Sequence, residues 1–177
     1  MTPSHNLNKR AILIPQAYQA FQISDGLAGD CARRAANVFL TPYGLDQRTV
    51  LAPNPFRVRI DSTDLQVCQQ MAKSASDSEA SFNGAISAVG GVNTAIGREL
   101  QNGKICNKVL KLTGQVLCLQ MSIKLTQDPL ALSTITDKIN NLQKNINSDV
   151  LAANQRQRSF LRTGIRTLRS SSAFRII

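Results

Sequence analysis

The chain is predicted to fold as an all-α, up-down-up-down four-helix bundle. A long loop joins helices one and two, and a basic tail closes the C-terminus. Three observations lead there. Apolar residues recur at three- and four-residue spacing over four stretches. The breaks between the second, third and fourth stretches are short, which favours antiparallel neighbours. The one alternating run, Phe56, Val58 and Ile60, has no second strand to pair with, so it reads as extended loop. A parallel coiled-coil dimer is the alternative, and the glycines and varied spacing argue against it.

The domain limits follow the same pattern. Residues 1–14 read as a flexible leader without periodicity, residues 15–155 as one bundle domain, and residues 156–177 as an arginine-rich tail. In the first helix, expected over 16–40, Phe21, Leu27, Cys31, Ala35, Val38 and Phe39 share a face. Gly26 and Gly29 weaken it by ~1 kcal/mol each relative to alanine, enough for a local break. Pro42, Gly44, Pro53 and Pro55 make 41–61 a connection. Asp61, Ser62 or Thr63 caps a helix over about 63–89, ended by Gly90-Gly91. The third helix, 92–125, is expected to bury Ile96, Leu100, Cys106, Val109, Leu112, Val116, Leu119 and Ile123, with a point of interruption at Asn102-Gly103. Asp128 as N-cap and Pro129 at the first helical position open the fourth, 129–155. Its apolar stripe is Ile135, Ile139, Leu142, Ile146 and Val150.

The four cysteines lie inside these apolar stretches. One reading makes them small buried hydrophobes. The sharper one makes two disulfides in an oxidising compartment. Cys106 and Cys118 are twelve residues apart, ~18 Å along one helix, whereas a disulfide needs Cα atoms within ~7 Å. Two connectivities remain. Cys31 and Cys106 both stand ~21–22 Å from the end where helices one and three begin, and Cys68 and Cys118 lie higher, mismatched by less than about two turns. The expected pairs are therefore Cys31–Cys106 and Cys68–Cys118. Zinc is disfavoured, because no CxxC pair exists and the single histidine, His5, lies in the leader.

Catalytic equipment is sparse, and no catalytic residue, cofactor or metal site is assigned. A serine or cysteine nucleophile needs an oriented base, and His5 is the only imidazole. Asp25 and Asp30 are five residues apart and Asp77 and Glu79 two, so neither pair shares a helical face. Asp61 and Asp64 suit capping. No GxGxxG or phosphate-loop lysine is present. The expectation is a protein that is not an enzyme.

The net charge of +10 is uneven. From residue 156 onward there are six arginines, Arg156, Arg158, Arg162, Arg166, Arg169 and Arg175, and no acid, while the body carries fifteen bases against eleven acids. If helical, the segment is a basic amphipathic element suited to an anionic membrane, an acidic partner or nucleic-acid phosphate. Only Phe160 and Phe174 are there to stack on bases. A frayed, solvated terminus is the plain alternative.

No apolar run approaches the ~20 residues of a membrane span. Ala11-Ile12-Leu13-Ile14 is shorter than the ~7–15 apolar residues of a signal-peptide core. The chain is thus expected either to be intracellular as written or to follow a removed signal with Met1 in its place. Lys9-Arg10 suits a dibasic processing protease.

Several segments resemble a group of small secreted proteins of filamentous fungi. These are Phe21-Gln22-Ile23-Ser24-Asp25-Gly26 with Ala28-Gly29, Ala36-Asn37-Val38-Phe39, Asn107 through Gly114, and, less closely, Asn145 through Val150. The resemblance implies an all-helical fold and secretion through a removed signal peptide, and it favours disulfides. It supplies no binding residues. The four cysteines and the arginine tail depart from it. The function expected is therefore a secreted, non-enzymatic helical protein acting at the fungal surface or on a host, binding an acidic surface polymer, a host protein or a hydrophobic ligand. The alternative is an intracellular basic protein whose tail engages nucleic acid or anionic membrane.

Overall fold

The computed structural model describes residues 11–51 and 57–162. It is an all-α bundle. Three long helices, α4 (Ser62–Ala88), α5 (Ala95–Thr126) and α6 (Pro129–Leu151), follow a shorter N-terminal series of α1 (Tyr18–Phe21), α2 (Cys31–Phe39), a 3₁₀ turn (Thr41–Tyr43) and α3 (Gln47–Leu51).

Capping chemistry sets the long helices' starts. The Asp61 carboxylate accepts from the Thr63 and Asp64 amides, while Asp64 accepts from the Asp61 amide, a reciprocal capping box. Thr94 Oγ1 accepts from Gly97 N, and Asp128 accepts from Leu130 N with Pro129 at the first helical position. The expected interruption at Asn102-Gly103 does not occur: α5 runs unbroken through it.

Helix α5 is the axis of the molecule, packed against α4, α6 and α2. It runs antiparallel to α4, since Cys68 near the start of α4 meets Cys118 near the end of α5. It is antiparallel to α6 as well, where Lys138 Nζ donates to Gln115 Oε1. Contact on three sides buries more of α5 than one amphipathic face. Leu110, Leu117, Cys118 and Met121 join the expected core, while Ile96 at the helix start is exposed.

The first predicted helix is broken where its glycines stand. Gly26 and Gly29 take φ of +93° and +115°, values open to glycine and incompatible with helix. The chain there forms a two-residue strand, β1 (Gly26–Leu27), antiparallel to β2 (Arg156–Gln157). A Cβ on Gly29 would stand 2.9 Å from the Ala153 side chain. Leu27 consequently faces solvent, whereas Phe21, Cys31, Ala35 and Phe39 are buried as expected. Phe39 reaches the core because its ring lies on Gly114 of α5, where an added Cβ would come within 2.6 Å of it.

The leader boundary also shifts. Residues 1–10, with His5 and Lys9-Arg10, lie outside the described residues. Leu13 sits in the core, Ile12 N donates to Asp64 Oδ1, and Leu13 N donates to Tyr43 Oη. Residues 11–14 therefore belong to the bundle, held by a hydrogen-bond chain that a sequence pattern does not reveal.

Both tyrosines of the chain are buried. Burial pushes the Tyr18 phenol up to about 12 from 10.0. Burial, reinforced by donation to Asp64 at 2.8 Å, raises Tyr43 as well. A raised folded-state pKa adds stability that is intact below pH 10 and is lost as pH rises from 10 toward 12. For Tyr18 this is on the order of 3 kcal/mol. The native protein should therefore show no phenolate absorbance at pH 10, where the urea-unfolded chain is half-ionised. Two half-ionised phenolates in the native protein at that pH would contradict the packing.

Candidate functional site

The four cysteines form Cys31–Cys106 and Cys68–Cys118, with Cα atoms 5.4 and 5.7 Å apart. The first ties α2 to the centre of α5 and the second ties α4 to α5. Cys31, Cys68 and Cys106 have no exposed surface and Cys118 little, so the sulfurs are braces held away from solvent reagents.

Next to the first brace stands Asp149, buried near the end of α6. Its carboxylate accepts from Gly29 N and Cys31 N, both at 2.9 Å. The α2 N-cap residue, Asp30, makes no side-chain cap bond of its own, so α2 is capped across the fold by a helix 118 residues away in sequence. A carboxylate at a helix N-terminus is stabilised by the amides that point at it. Asp149 continues the apolar stripe of Leu142 and Ile146 at three- and four-residue spacing. An acid on a core stripe is the signal that marks it in the sequence.

The arginine set divides. The domain boundary at 155 is too early, because residues 156–162 dock on the bundle. Gln157 Nε2 donates to the Ile23 and Asp25 carbonyls, Asn102 Nδ2 donates to the Arg156 carbonyl, and Ser159 N donates to Asp25 Oδ1. Phe160 stacks on Tyr18 with centroids 6.0 Å apart and meets Phe82 edge-on at 5.1 Å. Arg158 is therefore not a free cation. Its guanidinium holds Glu99 at 2.8 Å, with both side chains largely covered. Arg162 lies 3.9 Å from Asp25, and Arg156 is exposed. Arg156, Arg158 and Arg162 line one surface cleft with Gly26, Leu27, Glu99 and Gln157. Arg166, Arg169 and Arg175 lie outside the described residues.

Gly103 makes this docking possible. A Cβ there would stand 2.2 Å from the Arg158 carbonyl oxygen. Gly103→Ala should lift residues 156–162 off the bundle and cost about 1–3 kcal/mol, the usual range for overpacking. Limited trypsin digestion would read this directly. Cleavage after Arg158 should be slow in the native protein and fast in the variant, and equal rates would refute the contact.

Asn107 is a further polar residue that periodicity does not single out. Fully buried, it accepts from Tyr18 Oη at 2.8 Å and donates to the Ala75 carbonyl at 2.9 Å, joining the start of the chain, α4 and α5. These interactions occupy polar side chains in structural work. Asp25, Asp61, Asp64, Asp128 and Asp149 all accept backbone amides. Among the described residues no group of three or more His, Cys, Asp or Glu is placed to hold a metal ion, and no helix is long and apolar enough to cross a membrane.

A family model described as Domain of unknown function (DUF8454) matches residues 13–161. The matched stretch begins at buried Leu13 and takes in the docked segment after residue 155. No curated protein and no solved structure matches the chain.

Proposed function

The chain belongs to the DUF8454 family, and we propose that it is a secreted, non-enzymatic helical protein that works by binding, at the fungal surface or on a host. The observation that carries this reading is the pair of buried disulfides joining α2, α4 and α5. Such bonds persist in oxidising compartments and are rare in the cytosol. The fungal setting rests on the segment resemblances around Phe21–Gly29 and Asn107–Gly114. Those segments hold the fold together: Asp25, Gly29, Asn107 and Gly114 each make a packing or hydrogen-bond contact described above. This supports a structural role for those segments. The acids' engagement with backbone amides and with Arg158 supports the absence of a catalytic role. The arginine-lined cleft favours an acidic partner over a purely hydrophobic ligand.

The test is recovery of the natively produced protein from the culture medium, with free thiols alkylated before its intact mass is measured with and without reduction. The reading expects no alkylation before reduction and four modified cysteines after it. Protein retained in the cells with four free thiols would overturn it and favour the intracellular alternative.

A further inference from the structure

Among the described residues, nine large hydrophobic side chains are exposed; they fall at the two ends of the bundle, and the two ends differ in charge. At one end lie Ile12, Ile14, Leu130 and Leu132. Around them stand four bases, Arg48, Arg57, Arg59 and Lys124, and four acids, Asp46, Asp61, Asp64 and Asp128. At the other lie Leu27, Val92, Ile96, Val150 and Leu151, the last of them 87% exposed. Ile96, Glu99 and Asn102 are spaced by three on α5, so Ile96 stands one turn beyond the residues that hold the 155–158 segment. Leu27 lines the arginine cleft itself. The same end carries Arg33, Arg34, Arg98, Arg156, Arg158 and Arg162 against Asp25, Asp30, Glu99 and Asp149.

Pairing leaves a defined excess. Arg33 is held by Asp30 and Arg158 by Glu99, Arg162 approaches Asp25, and Asp149 is buried on backbone amides. Arg34 and Arg98 donate only to the Asp25 and Asn93 carbonyls, and Arg156 faces solvent. Among the described residues these three have no carboxylate partner. The chain leaves the described structure from this end at Arg162. Its remaining sequence, 163–177, alternates three arginines with Ile165, Leu168, Phe174, Ile176 and Ile177 and holds no acid.

Exposed aliphatic side chains at the same end as unpaired arginines, with Leu27 beside Arg34 and Arg156, are the chemistry of an interfacial contact, in which the apolar groups enter the headgroup boundary and the guanidinium groups meet lipid phosphate. We infer that this end of the bundle docks on an anionic phospholipid bilayer. The inference names the partner of the binding protein proposed above and so rests on that reading. Nucleic acid fits the same charge but not the exposed leucines and isoleucine, which would be left in water.

The experiment is flotation of the oxidised full-length protein with vesicles of phosphatidylcholine alone and of phosphatidylcholine mixed with phosphatidylglycerol, at low and high salt. Partitioning should favour the anionic vesicles on the order of a hundredfold, given three unpaired arginines, and should fall at high salt. The double variants Leu27→Asp/Leu151→Asp and Arg98→Gln/Arg156→Gln, checked for native helicity by circular dichroism, should each lose most of that preference. Leu130→Asp/Leu132→Asp at the neutral end should keep it. Absence of vesicle binding, salt-sensitive retention on duplex DNA without vesicle binding, or binding unchanged in both double variants would each overturn the docking. A protein found outside the cell with both disulfides but no vesicle affinity would overturn the docking alone and leave the extracellular reading standing.

Discussion

Replacing Cys31 and Cys106 together by alanine is expected to lower the unfolding free energy by about 4 kcal/mol. The bond closes a loop of 75 residues, and the chain-entropy relation gives that magnitude for such a loop. It is also the covalent link between the N-terminal series and α5. A nine-residue helix such as α2 is far too short to persist by itself, so its order depends on docking. Urea denaturation of the oxidised protein and the double variant measures the difference, and a loss below about 1 kcal/mol would contradict the role assigned to this brace. The second bond closes 50 residues and carries a similar expectation. The two loops overlap, so removing both should cost less than the sum. Reduction should be gentler than substitution in one respect. Cys31 Sγ lies 3.0 Å from Asp149 Oδ1, Cys106 Sγ 3.2 Å from the Ile23 carbonyl and Cys68 Sγ 3.3 Å from the Gly114 carbonyl. A thiol at each of these positions finds an acceptor already in place, so the reduced protein should stay helical at lower stability.

Asp149→Ala should cost about 3–5 kcal/mol, the second large effect. The substitution leaves the buried Cys31 amide and the part-buried Gly29 amide without their acceptor, and each hydrogen bond to a charged group contributes ~1.5–3 kcal/mol. It also removes the side-chain cap that Asp149 gives α2. Asp149→Asn keeps one acceptor oxygen and should recover part of the loss. Hydrogen exchange would localise the effect: amides of α2 should lose protection before those of α5. A uniform loss across both helices, or stability equal to the native protein, would refute the cross-fold cap.

What was legible in the chain was local. Asp61, Asp128-Pro129 and Gly90-Gly91 mark the long helices because capping and helix-breaking act within a few residues. The cysteine pairs are the expected ones, but Cys31 opens α2 instead of standing ~21–22 Å along a helix from residue 16, so helical rise does not account for its partner. What was not legible depends on contacts distant in sequence. The first helix breaks at Gly26 and Gly29 because their neighbours are Ala153 through Gln157, some 130 residues on. The arginine-rich end looked like a tail from 156 because nothing near it reveals that Glu99 receives Arg158 or that Gly103 makes room for its carbonyl. Asn102-Gly103 resembled a helix interruption for the same reason: its purpose is the segment that crosses it. Burial of α5 exceeded its apolar stripe because three elements surround it. In the candidate site, Arg156 faces solvent, while Arg158 turns inward to a carboxylate that composition does not connect to it.

The most direct measurement is a non-reducing tryptic peptide map of the natively produced protein. Cleavage at lysine and arginine puts Cys31, Cys68, Cys106 and Cys118 in four separate peptides. Two cross-linked pairs are expected, the peptide of Cys31 with that of Cys106 and the peptide of Cys68 with that of Cys118. Four separately alkylated peptides, or Cys31 joined to Cys118, would contradict it.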